Sequence, residues 1–240
     1  MNQCNLPQKR EDHVWRRGGV MRVALFGDSI TVGQFVPVHL TWPQRLSQLL
    51  AASSHQAGEP NWFISISAVN GRTTREALLD MPYHIQSQNV DILLIQFGLN
   101  DCNHWLSDHG CPRVSIDSFR ANIDEMIDRA RSSGTRVIYV LTPHETLRTQ
   151  PWTHKPESSL ESERQRYAQA IRSIHYGRRG DATVHLLDME AHLNSRGLAP
   201  SDTVLPLPDG LHLNPLGHET FAEIVQDQLR ADNRVTPRGS

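Results

Sequence analysis

Cysteine is scarce: Cys4, Cys102 and Cys111 are the only three in 240 residues. So few, and an odd number, exclude a disulfide framework and fit reduced thiols. Long apolar runs are absent as well. No stretch reaches the roughly 18 consecutive apolar residues that a membrane span needs, so no membrane partner is expected. Neither sign of charge dominates, since 24 Lys and Arg stand against 26 Asp and Glu and the two are interspersed. That excludes the basic stripe of a nucleic-acid binder. The opening MNQCNLPQKREDHVWRRGGV is charged and lacks the apolar core of a secretory signal, so a cytoplasmic protein is expected. Internal repeats, low-complexity tracts and Ser/Gly/Pro-rich linkers are missing too. With 38% hydrophobic residues the chain can bury one good-sized core. The expected layout is a loose extension over 1–20, one domain over 21–231 and a disordered tail over 232–240.

What is present is a recurring strand–helix pattern. Apolar, β-branched runs occur at 22–26, 62–69, 91–97, 135–141 and 183–188. Strands separated by helical sequence imply βαβ units and a parallel sheet. In SIDSFRANIDEMIDRARSSG, the residues Ile116, Phe119, Ile123, Met126, Ile127 and Ala130 recur at spacings of three and four, with Gly134 as a stop. A last helix starts at Asn214-Pro215, a cap followed by proline at the first helical position. Leu216, Phe221, Ile224 and Leu229 are expected to face the sheet. Residues 143–160 hold prolines and no periodicity, and read as a loop over one end of the sheet.

The unusual residues fall at strand ends. Ser29 follows the first strand in RVALFGDSITVGQF, Asn70-Gly71-Arg72-Thr73-Thr74 follows the second, and Gly98-Leu99-Asn100-Asp101 follows the third. PDGLHLN, residues 208–214, precedes the last helix. Open α/β sheets bind ligands beyond the carboxyl ends of their strands, so these segments define one candidate site. A serine hydroxyl needs a base to become a nucleophile, and the base needs an orienting carboxylate. His212 and Asp209, three apart in one loop, supply both. Gly71 and Ser29 offer backbone N–H groups and Asn100 an amide to a developing oxyanion.

Together, GDSIT with Ser29, VNGRTT with Gly71, GLND with Asn100, and DGLHLN with Asp209 and His212 resemble the four signature blocks of the SGNH, or GDSL-like, hydrolase family. They occur in the family's order across residues 22 to about 230. The resemblance implies a three-layer α/β fold with a flavodoxin-like five-stranded sheet of order 2-1-3-4-5. It also implies a serine esterase mechanism without metal or cofactor. Catalytic roles are then expected for Ser29, Asp209 and His212, with an oxyanion hole from Ser29, Gly71 and Asn100. The expected substrate is a small-molecule or carbohydrate ester, an O-acetyl group first of all. The GRTT after Gly71 resembles an arylesterase and acyltransferase subgroup, which makes acyl transfer to other alcohols the alternative. A non-catalytic glycan- or partner-binding module is the other one.

Blander roles fit several neighbours. Ser29 alone could cap a helix, Asp28 can brace the turn through backbone N–H groups, and Asp101 is expected to be structural. His218 reads as solvent-facing or structural. Cys102, His104, His109 and Cys111 suggest zinc by type, but their pairs are spaced too tightly for the usual motif. A loop framing the substrate pocket is expected there instead, with Trp105 and Trp152 as stacking walls or core.

Overall fold

The computed structural model describes residues 19–53, 60–105, 107 and 109–232. The tail beyond 232 and the extension before 19 lie outside the described residues. The elements run β1 (Val20–Gly27), α1 (Ser29–Val32), α2 (Trp42–Ser53), β2 (Asn61–Ala68), α3 (Thr74–His84), β3 (Ile92–Gln96), α4 (Ile116–Ser132), β4 (Val137–Leu141), α5 (Leu160–Gly177), β5 (Val184–Leu187), α6 (Met189–Ser195), α7 (Pro200–Thr203) and α8 (Pro215–Ala231). All strand pairs are parallel and the order is β2-β1-β3-β4-β5. This is the expected sheet.

Central strands buried on both faces read as continuous apolar runs. Ile92-Leu93-Leu94-Ile95-Gln96 and Val137-Ile138-Tyr139-Val140-Leu141 are buried at every position. Helices α2 and α8 pack together, and α3, α4 and α5 form a second group, giving helix–sheet–helix layers. Every apolar residue expected on the inner face of α4 is buried except Ile116, which packs partly buried against the core. Ser115 caps that helix, accepting from the Ser118 N–H, and Gly134 follows its end with φ +93°.

Three expectations need correction. Leu216 does not face the sheet but is 45% exposed. The buried stripe of α8 runs instead through Gly217, His218, Phe221, Ile224, Val225 and Leu229. Gly217 lets this first turn press against α7, because a Cβ there would sit 2.1 Å from the Thr203 carbonyl oxygen. Val20, placed in the extension, is paired with Asn61 in the sheet. Asp232, placed in the tail, is buried, and its carboxylate accepts from the Tyr139 hydroxyl at 2.6 Å.

Segment 143–160 is irregular, as expected, but it is firmly held. The Glu161 carboxylate takes the Thr146 N–H and hydroxyl at 2.8 and 2.9 Å. Fully buried Arg164 bonds to Glu161, Glu190 and the Pro143 carbonyl. A buried guanidinium is tolerated only when so completely paired.

Candidate active site

The turn after β1 lifts Ser29 out of the sheet without leaving it exposed. Gly27 is required there, since a Cβ would lie 2.3 Å from the Thr31 hydroxyl. Asp28, not Ser29, caps α1, its carboxylate accepting from the Ile30 N–H at 3.0 Å. That leaves the Ser29 hydroxyl to a different partner. The His212 Nε2 lies 3.0 Å from the Ser29 Oγ, across 183 residues of sequence. On the other side of the ring, His212 Nδ1 is 2.8 Å from Asp209 Oδ1.

The Asp209 loop is built to aim that carboxylate. Its second oxygen accepts from the N–H groups of Leu211 and His212 at 3.0 and 2.8 Å. Burial alone would raise the Asp209 carboxyl, but the bonds from the His212 ring and these two N–H groups outweigh it and hold it below the usual range. It therefore stays ionised and fixes the proton on His212 Nδ1, leaving Nε2 to accept from Ser29. The loop is pinned from both sides. Arg148 Nε donates to the Asp209 carbonyl, the Leu147 N–H to the Gly210 carbonyl at 2.7 Å, and the Leu205 N–H to the His212 carbonyl at 2.7 Å. His144 Nε2 donates to the Leu211 carbonyl at 2.8 Å, and burial lowers its pKa to about 4, so it is a neutral strut. Phe35, with a strained φ of +70°, sets its ring edge-on to the His212 ring at 5.2 Å.

Gly71 and Asn100 reach the same sheet edge through strand register. Gly27 pairs with Ala68 on one side and Gln96 on the other, so Ser29, Gly71 and Asn100 lie two, three and four residues past one level. Gly71 has φ +76° with open space where a Cβ would be, so conformation rather than crowding calls for glycine. The Asn100 amide donates to Asp28 Oδ2 at 3.3 Å, which ties it to the serine turn. Burial pushes the Asp28 carboxyl up to about 7, with the charge of Asp101 adding to it. Asp101 is structural, accepting from the Thr74 N–H and hydroxyl at the start of α3.

Residues 25–220 match the GDSL-like lipase/acylhydrolase family. The chain belongs to that family. Among curated relatives of this GDSL-like chain, an arylesterase of Vibrio mimicus is 26% identical over 117 residues, 49% of this chain and 52% of that protein. An uncharacterised lipoprotein of Bacillus subtilis (strain 168) is 31% identical over 123 residues, 50% of this chain and 47% of that protein. The chain thus spans about half the length of the curated relatives it matches. In three dimensions it is similar to an acetylxylan esterase from Geobacillus stearothermophilus, with a TM-score of 0.68 and 18% identity, covering 93% of this chain and 100% of that one. That likeness shows the fold.

The other sequence candidates separate. Cys102 is buried and donates to the Leu99 carbonyl, Cys111 is exposed, and both thiols are free. Among the described residues no cluster of His, Cys, Asp or Glu is arranged to hold a metal ion. His218 is buried and accepts the Trp42 N–H on Nδ1 at 3.2 Å, a structural role. Trp152 packs partly buried against the core and stacks on His104 at 4.3 Å. Trp105 stays 46% exposed, with the Arg113 guanidinium 4.0 Å above its ring. Sequence reading missed Arg148, His144 and Phe35 around the base loop, and Arg113, whose NH1 donates to the Gly71 carbonyl at 2.6 Å. None sits in a recognisable motif; only the fold brings them there.

Proposed function

We propose that this GDSL-like chain is a serine esterase that cleaves small acyl esters, an O-acetyl group on a carbohydrate being the leading substrate. The observation that carries the reading is the unbroken line Ser29 Oγ, His212 Nε2, His212 Nδ1, Asp209 Oδ1, with links of 3.0 and 2.8 Å. Such a line makes a hydroxyl nucleophilic. His212 takes the Ser29 proton as Oγ bonds to the ester carbonyl carbon and the carbonyl π electrons move to oxygen. The oxyanion is met by the N–H groups of Ser29 and Gly71 and by the Asn100 amide. Collapse breaks the bond to the alcohol oxygen, which leaves with the proton from His212. Water, deprotonated by the same histidine, then releases the acid and restores Ser29.

Substrate class is supported by what the relatives are named for: aryl ester for the Vibrio protein, acetylated xylan for the Geobacillus one. The GRTT block at Gly71 carries a second reading, transfer of the acyl group to an added alcohol, which appears as new ester when a competing alcohol is supplied. No helix among the described residues is long and apolar enough to cross a membrane. The cytoplasmic reading is tested by cell fractionation, since one curated relative is a lipoprotein.

The test is hydrolysis of p-nitrophenyl acetate, butyrate and octanoate by wild type and Ser29→Ala, with and without EDTA. Expected is cleavage that needs Ser29, ignores EDTA and falls with chain length. Equal turnover by Ser29→Ala would overturn the mechanism, and a preference for octanoate would overturn the small-acyl reading.

A further inference from the structure

Beside Gly71 lies an open cleft of about 460 Å³ lined by Thr73, Arg75, Glu76, Trp105, Pro112 and Arg113. Its size is within the range of small-ligand pockets. Its chemistry is uneven in a particular way. One wall is a half-exposed indole, held in place by Arg113 over one face. The rest is planar charged groups, a hydroxyl and the single Pro112 ring. The Glu76 carboxylate takes the Thr73 N–H and hydroxyl on Oε2 at 2.7 and 2.8 Å. Its Oε1 faces Arg113 Nη2 at 3.7 Å, a loose ion pair rather than a hydrogen bond, which leaves both groups free to bond to an added hydroxyl. Burial opposes the charge on Glu76, but the bonds from Thr73 and the nearby Arg113 and Arg72 hold its carboxyl below the ordinary value, so it is a ready acceptor.

An aliphatic acyl chain finds no continuous apolar wall here. A sugar ring does find what it needs: its C–H face can lie on an aromatic ring, and its hydroxyl edge can bond to guanidinium and carboxylate groups. The cleft is tied to the Gly71 turn by one bond, because Arg113 Nη1 donates to the Gly71 carbonyl at 2.6 Å. We infer that the Trp105–Arg113–Glu76 cleft is a sugar subsite that seats one pyranose ring of a glycan ester beside the Gly71 turn. The inference rests on the esterase reading for its purpose but not for its test.

The test is direct binding of a sugar that carries no ester. Xylobiose is titrated into the full chain and followed by saturation-transfer NMR, with sorbitol, which has no ring face, as the control. Wild type is expected to saturate the ring C–H protons of xylobiose and to leave sorbitol untouched. Trp105→Ala should weaken xylobiose binding at least tenfold, and Trp105→Phe, which keeps an aromatic face, should recover most of it. Xylobiose binding that is indifferent to Trp105→Ala would overturn the subsite. So would absence of binding in a chain that still hydrolyses p-nitrophenyl acetate through Ser29, an outcome that leaves the esterase reading standing. Trp105-dependent binding in a chain without Ser29-dependent hydrolysis would keep the sugar site and overturn the esterase reading.

Discussion

Two aspartates stand one on each side of the Ser29–His212 contact, and their surroundings drive them in opposite directions. Asp28, in the serine turn, is fully buried, and burial raises its carboxyl to about 7. Asp209, in the base loop, keeps its side chain 20% exposed and is held low by bonds from the His212 ring and two N–H groups. The same residue type is thus a spacer and cap in one loop and a fixed negative charge in the other. Depth of burial and the neighbouring charge, Asp101 beside Asp28 and the His212 ring beside Asp209, decide which. The two loops are also held differently. The serine turn is fixed by core packing and by Gly27, whereas the base loop is pinned by the Leu147 and Leu205 N–H groups and by the Arg148 side chain.

This contrast sets an order of expected effects. Ser29→Ala should lower kcat by about 10⁶-fold, since no other group can make the covalent bond. Asp209→Ala should cost less, on the order of 10⁴-fold in kcat, because His212 without its carboxylate still samples the productive orientation. A loss for Asp209→Ala equal to that for Ser29→Ala would make the carboxylate indispensable rather than orienting. Asn100→Ala should lower kcat by about 10²–10³-fold with little change in KM, the signature of a donor that acts on the transition state. All three are read from steady-state kinetics on p-nitrophenyl acetate.

The smallest effect belongs to Asp28 and appears in stability rather than rate. Its folded pKa of about 7 lies above the ordinary aspartate value of 3.8, so between those values the unfolded chain is ionised while the folded one holds its proton. The unfolded state then binds fewer protons, and stability falls as pH rises from about 4 to 7. The stability this group gives is whole below the unfolded pKa and lost above the folded one. Asp101, raised to about 6, has the same sign. Asp28→Asn should therefore make the fall in Tm between pH 4 and 8 shallower, without abolishing it. A slope identical to wild type would place the Asp28 titration elsewhere.

Much of this was legible in the sequence where one element suffices to state it. The runs at 91–97 and 135–141 read as buried strands because central strands are apolar on both faces, and the face of α4 read from its 3.6 period. Ser29, Asp209 and His212 stand out as candidates in the sequence because the chemistry restricts which residue types can serve, and Asp209 and His212 share one loop. What failed was local reasoning about surfaces set by distant partners. Leu216 looks like a core residue until Gly217 is seen to press α8 onto Thr203, which turns position 216 outward. Arg148, His144 and Arg113 touch the base loop or Gly71 only through contacts 42 to 67 residues away in sequence, and periodicity contains no such information. Val20 and Asp232 read as parts of the chain ends for the same reason, their partners Asn61 and Tyr139 being remote.

The proposed chemistry turns on Ser29 being a nucleophile activated by His212. The measurement that tests this most directly is mass spectrometric mapping of the chain after exposure to diisopropyl fluorophosphate, which labels activated serines. One adduct on Ser29, forming in step with loss of esterase activity and slowed at least a hundredfold in His212→Ala, is the expected result. Labelling of another serine, or activity that survives complete modification of Ser29, would contradict it.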